Sequence, residues 1–157
     1  MIQRIQTLYL FGISTLIGCA IFLPLVQMTN SIAFSSYQLN AIGLWQRVPE
    51  NTSSILISNN WLLCSLLTAS LILAVYSIFL YKNRLKQIRL CVINFVFFLL
   101  FYITLFVDVF YSSKELNTNW TLSLASLFPL IAAILNYLTI GAIGKDEALV
   151  KSMDRLR

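Results

Sequence analysis

Four apolar stretches constrain this chain more than anything else in it: Thr7–Val26, Trp61–Tyr81, Leu90–Val109 and Trp120–Ile143. A bilayer core about 30 Å thick is crossed by roughly 20 helical residues at 1.5 Å rise each, and each stretch meets that length. Asp108 is the one charged residue inside them. Charged residues make up 11% of the chain, under half the share of about 25% typical of a soluble domain. With four spans in 157 residues, no room remains for a separate soluble unit. The expected fold class is therefore an all-α membrane protein: a single four-transmembrane-helix bundle occupying residues 1–157. A small β-like outer segment is expected between helices 1 and 2, with a cytoplasmic basic amphipathic tail over 144–157.

The basic residues orient this bundle. Arg4 precedes the first span, Lys82, Arg84, Lys86 and Arg89 crowd the link between spans two and three, and Lys145, Lys151, Arg155 and Arg157 follow span four. Arg47 and Lys114 alone fall on the other side, so the positive-inside rule predicts N-in/C-in topology with both termini cytoplasmic. Trp61 and Trp120 would then open their helices at the outer interface, where indole rings settle. The net charge of +5 follows from this topology, and because the cations are not interleaved with aromatics on a polar face, nucleic acid is not an expected partner. Leu16-Ile17-Gly18-Cys19 resembles a lipoprotein cleavage signal. The chain, however, stays apolar through Ala20-Ile21-Phe22-Leu23, and the whole run has the length of a spanning helix rather than of a signal core.

Few residues could perform chemistry. There is no histidine, which removes the commonest neutral-pH base and metal ligand. Cys19, Cys64 and Cys91 are isolated, with no Cys-x-x-Cys pair, and read as small packing residues. No phosphate loop, serine elbow or paired-carboxylate motif is present. The expectation is a non-enzymatic protein with no cofactor, no metal site and no catalytic residue. The intramembrane polar candidates are Asp108, near the outer end of span three, and Asn94 and Asn136, placed to hydrogen-bond between helices. Ser14/Gly18 and Thr15/Cys19 have the small-xxx-small spacing that lets helices approach closely. Pro129 is expected to kink span four.

Residues 27–60 are too long for a simple turn. Ile32 and Phe34 alternate with polar neighbours, Val48-Pro49-Glu50-Asn51-Thr52 has turn composition, and Ser54-Ile55-Leu56-Ile57-Ser58 favours strand. Two to four short antiparallel strands are expected over the outer mouth of the bundle. Trp45, in Gly43-Leu44-Trp45, is a candidate contact residue. The architecture is similar to that of claudin-type proteins, whose first outer segment is a small sheet with a comparable Gly-Leu-Trp, although the two loop cysteines of that pattern are missing. At the other end, Leu149, Met153 and Leu156 recur at helical spacing with Arg155 among them, and Glu147 precedes Lys151 by four. The tail is thus a candidate surface for anionic lipid or for a protein partner.

The two ends carry a family resemblance. The opening Met1-Ile2-Gln3-Arg4-Ile5-Gln6-Thr7-Leu8-Tyr9-Leu10, the Phe22-Leu23-Pro24 step and the closing Lys145–Arg157 segment resemble domain-of-unknown-function family 4293, small four-span membrane proteins of Bacteroidetes-type bacteria. Met153 stands where a small residue is expected. The resemblance implies the bacterial inner (plasma) membrane and assigns no activity. Two functions stay open: a subunit that binds or stabilises a partner, and an oligomeric transporter or channel component. The expected partners are membrane lipids, together with another membrane protein or further copies of the chain.

Overall fold

The computed structural model describes residues 3–30, 35–47, 54–80, 83–116 and 118–154, with side chains described for 6–30, 36–47, 55–80, 83–116 and 118–147. Four α-helices lie among these residues: α1 (Gln3–Phe22), α2 (Trp61–Phe79), α3 (Arg84–Leu116) and α4 (Leu127–Asp154). Five strands accompany them: β1 (Val26–Asn30), β2 (Ser35–Leu39), β3 (Gly43–Arg47), β4 (Ser54–Asn59) and β5 (Asn119–Leu122). The all-α expectation is therefore wrong. The strands form one antiparallel sheet in the order β4-β3-β2-β1-β5, so the chain is mostly helical but carries a second, β layer.

The correction has a physical cause at two positions. Span one was expected to run to Val26, yet α1 ends at Phe22 and Val26 opens β1. Pro24 lies between them and has no N–H to continue a helix. Span four was expected to begin at Trp120, yet Trp120 lies in β5, opposite Met28 of β1. A 3-10 turn, Leu124–Ser126, then leads into α4. Val26 and Met28 are buried while Gln27 is exposed, so one face of β1 packs on the helices. In a hydropathy trace the half-buried β1 and the apolar residues of the exposed β5 merge with the ends of the spans. β5 (Asn119–Leu122) takes up the start of the expected span four, where no strand was expected. The turn at 48–52 and the residues Ile32 and Phe34 lie outside the described residues.

Three helical segments are long and apolar enough to cross a membrane: Trp61–Phe79, Arg84–Leu116 and Leu124–Glu147; Gln6–Phe22 is a shorter apolar helix. α1 packs on α2 and α4, and α3 packs on α2 and α4, which closes a ring of antiparallel neighbours. Their buried positions mark the seam. Leu63, Leu67, Ser70, Ala74 and Ser77 face inward on α2; Gln87, Cys91, Asn94, Phe98, Phe101, Leu105 and Val109 do so on α3. Both sets are built from steps of three and four, alternating on α2 and on α3 as far as Leu105, the spacing of interlocking helices that cross at small angles. Phe98 and Phe101 fill the middle, and Ile103, Phe106 and Phe110 point outward. Close approach does not occur at Gly18, where an added Cβ would meet nothing within 4 Å, but at Gly12, 3.6 Å from Leu135. Ser14 and Thr15 return their hydroxyls to the carbonyls of Phe11 and Gly12 within α1. Pro129 falls in the first turn of α4, where the N–H groups have no intrahelical acceptor and proline is tolerated.

Candidate functional site

The inward faces carry neutral polar side chains that bond one helix to the next. Ser70 Oγ donates to Asn94 Oδ1 at 2.6 Å, joining α2 to α3. Asn136 Nδ2 donates to the Cys91 carbonyl at 2.8 Å, joining α4 to α3. Nearer the chain termini, Gln87 Nε2 donates to the Ser77 carbonyl at 3.2 Å, and the Ser77 hydroxyl lies 3.7 Å from Cys91 Sγ. In a membrane such bonds satisfy groups that hydrocarbon would leave unpaired. Asn94 and Asn136 thus sit between helices, while Ser70, Ser77 and Gln87 are contributors that the sequence reading missed. Their signal was present, because Ser70 and Ser77 lie seven residues apart on an otherwise apolar helix. Among the described residues, Gln6 Nε2 and Asn136 Oδ1 are buried without a hydrogen-bond partner.

Charge appears at the two ends of this core. At the end carrying the α2–α3 link, Arg84 Nη2 pairs with Asp146 Oδ2 at 3.2 Å and Arg84 Nη1 donates to the Asp146 carbonyl at 3.3 Å. This is the one ion pair among the described residues. At the sheet end, Asp108 Oδ2 accepts from Asn60 Nδ2 at 3.3 Å, and the Asn60 backbone N–H reaches the Ile42 carbonyl. Asp108 is therefore part of the joint where β4 hands the chain to α2. Asn30 Nδ2 donates to the Leu116 carbonyl and Ser113 Oγ to the Thr118 carbonyl, so the upper end of α3 is tied to the sheet.

Trp45 lies on β3 with its ring partly covered and its indole N–H buried without an acceptor among the described residues. The more exposed apolar surface is its neighbour β4. Ile55, Leu56 and Ile57 are all exposed along a strand that has β3 on one side and, among the described residues, no other strand beside it. The β3–β4 register slips between Leu44 and Trp45, where Ser58 and Leu56 are partners and Ile57 is skipped. Residues 55–59 are all exposed, so β4 is open on both faces, and the bulge at Ile57 only shifts its alternation. α4 runs on as helix to Asp154, which carries Leu149 and Met153; their side chains, and all of Arg155 and Leu156, lie outside the described residues. The candidate residues do not converge: Trp45 and Asp108 lie at the sheet end, Asn94 and Asn136 within the core, and the tail beyond the opposite end.

Three apolar helices of spanning length, with an antiparallel sheet attached at one end, place the chain in the class of membrane proteins. Within that class the chain belongs to the family described as domain of unknown function (DUF4293), which matches residues 2–156 and so covers nearly all of it. No curated protein matches the chain.

Proposed function

We propose that this protein is a non-enzymatic subunit of the bacterial inner membrane that binds or stabilises another membrane protein. The observation that carries this reading is β4, an uncharged edge strand whose Ile55, Leu56 and Ile57 are exposed. Edge strands that do not pair are ordinarily blunted by charge, proline or cover, because their free N–H and C=O groups invite another strand. Against conduction speaks the interior, where the polar groups between the spans are neutral and bonded across helices; ion pathways leave ionisable side chains facing a pore. The tail, with Leu149, Met153 and Leu156, is the second contact surface in this reading.

The orientation proposed with it sets both termini in the cytoplasm and the sheet outside. The support is the charge distribution: Arg84, Lys86, Arg89 and Lys145 gather at one end of the helices, and Arg47 and Lys114 lie toward the sheet. In a cysteine-free background, single cysteines at Ser36 and Ser113 should label from outside and one at Ser152 from inside. Labelling of Ser36 and Ser152 from the same side would overturn the orientation.

The partner reading is tested by a photo-crosslinker placed at Leu56 in cells. It should yield one stoichiometric adduct, and Ile57→Pro should abolish both the adduct and complementation of a deletion strain at matched membrane levels. An adduct with the chain itself, around a water-filled axis, would favour a transporter or channel instead. Asp108→Asn separates the two readings further. It keeps an acceptor for Asn60 and removes the charge, so complementation should match wild type and the melting temperature should move by a degree or two, a surface-type change of about 0.5 kcal/mol. A variant as inactive as empty vector would put ion coupling through Asp108 in first place.

A further inference from the structure

α3 is longer than a membrane requires. Its 33 residues extend roughly 50 Å, about 20 Å more than a hydrocarbon core. About 12 Å of the excess lies at the sheet end, because Asn60, just before α2, meets Asp108, and α3 continues two turns beyond that level. One side of the continuation is tied to the sheet through Leu116 and Ser113. The other is bare: Phe106, Val107, Phe110 and Tyr111 are all exposed and, with Lys114, line a shallow open groove of about 520 Å³ along this one helix. This aromatic face begins within the apolar run Leu90–Val109 and continues past its end.

Lys114 gives that groove a polarity. Its ammonium lies 4.6 Å from the centre of the Phe110 ring, one turn closer to the membrane. Side chains on a helix lean toward its N-terminus, which on α3 is the direction of the bilayer, and long cationic side chains take this course at interfaces. Among the described residues no carboxylate pairs with it. Glu115, next in sequence, points about 100° around the helix. A cation is thus held over an apolar surface, about 8 Å along the helix beyond Val109, where the apolar run Leu90–Val109 ends.

We propose that Phe106, Val107, Phe110, Tyr111 and Lys114 seat one anionic phospholipid of the sheet-side leaflet, with an acyl chain along the rings and its phosphate on the Lys114 ammonium. Charge complementarity and continuity with the bilayer select this occupant: the apolar part of the groove opens into hydrocarbon, and its charged part lies where the phosphates are. This inference goes beyond the partner reading and does not depend on β4.

The test is native mass spectrometry of the full chain in detergent, titrated separately with phosphatidylglycerol, phosphatidylcholine and inorganic phosphate. Wild type should retain phosphatidylglycerol over phosphatidylcholine. Lys114→Gln should lower phosphatidylglycerol retention about fivefold, the weight of one interfacial cation, and Lys114→Arg should keep it. Phe110→Ala should weaken the long-chain lipid more than a short-chain phosphatidylglycerol. Thermal melts of the variants close to that of wild type confirm that folded protein is compared. Equal retention by wild type and Lys114→Gln overturns the proposal. Lys114-dependent binding of inorganic phosphate as strong as that of the lipid overturns it in favour of a free-anion site. A dimer that excludes lipid and dissociates in Phe106→Ala overturns it in favour of an interface between copies.

Discussion

Replacing Arg84 by alanine is expected to destabilise the protein by about 2 kcal/mol, while removing its partner costs less. Arg84 sits in the first turn of α3, where the helix dipole disfavours a cation, so its value lies in the contact with α4. Its guanidinium holds both the carboxylate and the backbone carbonyl of Asp146. The Asp146 side chain is 12% exposed and that of Arg84 25%. Without Arg84 the carboxylate stays largely buried and unpaired, and breaking a fully buried pair in this way costs about 3–5 kcal/mol; the partial exposure of this one lowers the figure. Without Asp146 the longer arginine can swing its head to water or phosphate, so Asp146→Ala should cost about 1 kcal/mol. Thermal melts in one detergent give the comparison. The double variant Arg84→Ala/Asp146→Ala should recover much of the loss of Arg84→Ala. If the double variant is as unstable as the sum of the singles, the pair contributes nothing of its own.

Much of this molecule is legible in composition and spacing because the bilayer is a severe solvent. Runs such as Trp61–Tyr81 and Leu90–Val109 can do little else, and α2 and α3 contain them almost entirely. The boundaries failed where a different solvent takes over. Val26 is apolar because it is buried where β1 packs on the helix ends, and a hydropathy window cannot distinguish burial under a sheet from burial in lipid; Trp120 is an exposed residue of β5, and its apolar side chain reads the same way in such a window. Pro24 was the readable stop at the first of these boundaries. Pairing of β1 with β5 joins residues ninety or more positions apart, and no local pattern announces such a contact. Ser54–Ser58 was readable as strand, since its β-branched composition is a local property. What it borders was not.

The interior follows the same logic. In water a buried face is found by hydrophobicity, but in a membrane helix every face is hydrophobic. The inward seam of α2 and α3 is marked instead by its small and polar members, Ser70, Ala74, Ser77, Gln87, Cys91 and Asn94. Read at steps of three and four, these residues give the packing face directly. Asn94 and Asn136 stood out singly as interhelix candidates, whereas the contact of Arg84 with Asp146 did not, because positive-inside counting treats each cation as a topological marker and leaves its partner unasked.

A side chain at Gly43 should be among the most damaging single changes in the extramembrane layer, at about 3 kcal/mol for Gly43→Ala. Gly43 opens β3 opposite Asn59 and is buried. A Cβ there would collide with the backbone carbonyl oxygen of Ser58 and stand 3.0 Å from Leu56 Cδ1 and 3.4 Å from the Asn59 Cα. Leu56 can turn aside, but the carbonyl belongs to β4 and moves only with the strand. The surrounding backbone has little freedom to yield. The Gly43 carbonyl accepts from the Asn40 N–H at 2.9 Å, and the neighbouring Ile42 carbonyl accepts from the Asn60 N–H at 3.1 Å. Relief would therefore prise β4 from β3 and disturb the entry to α2, including the Asn60–Asp108 contact. Forced overpacking costs about 1–3 kcal/mol where side chains can adjust; a backbone obstacle puts Gly43 at the upper end. Hydrogen exchange localises the effect: the β3 and β4 amides should lose protection while those of α3 and α4 keep theirs. Gly18→Ala is the matched control, since its Cβ would meet nothing within 4 Å and alanine favours a helix by up to about 1 kcal/mol over glycine. It should melt at or slightly above wild type. If Gly43→Ala melts with it and β4 stays protected, the close approach of β3 to β4 at this position is not what holds the edge strand in place.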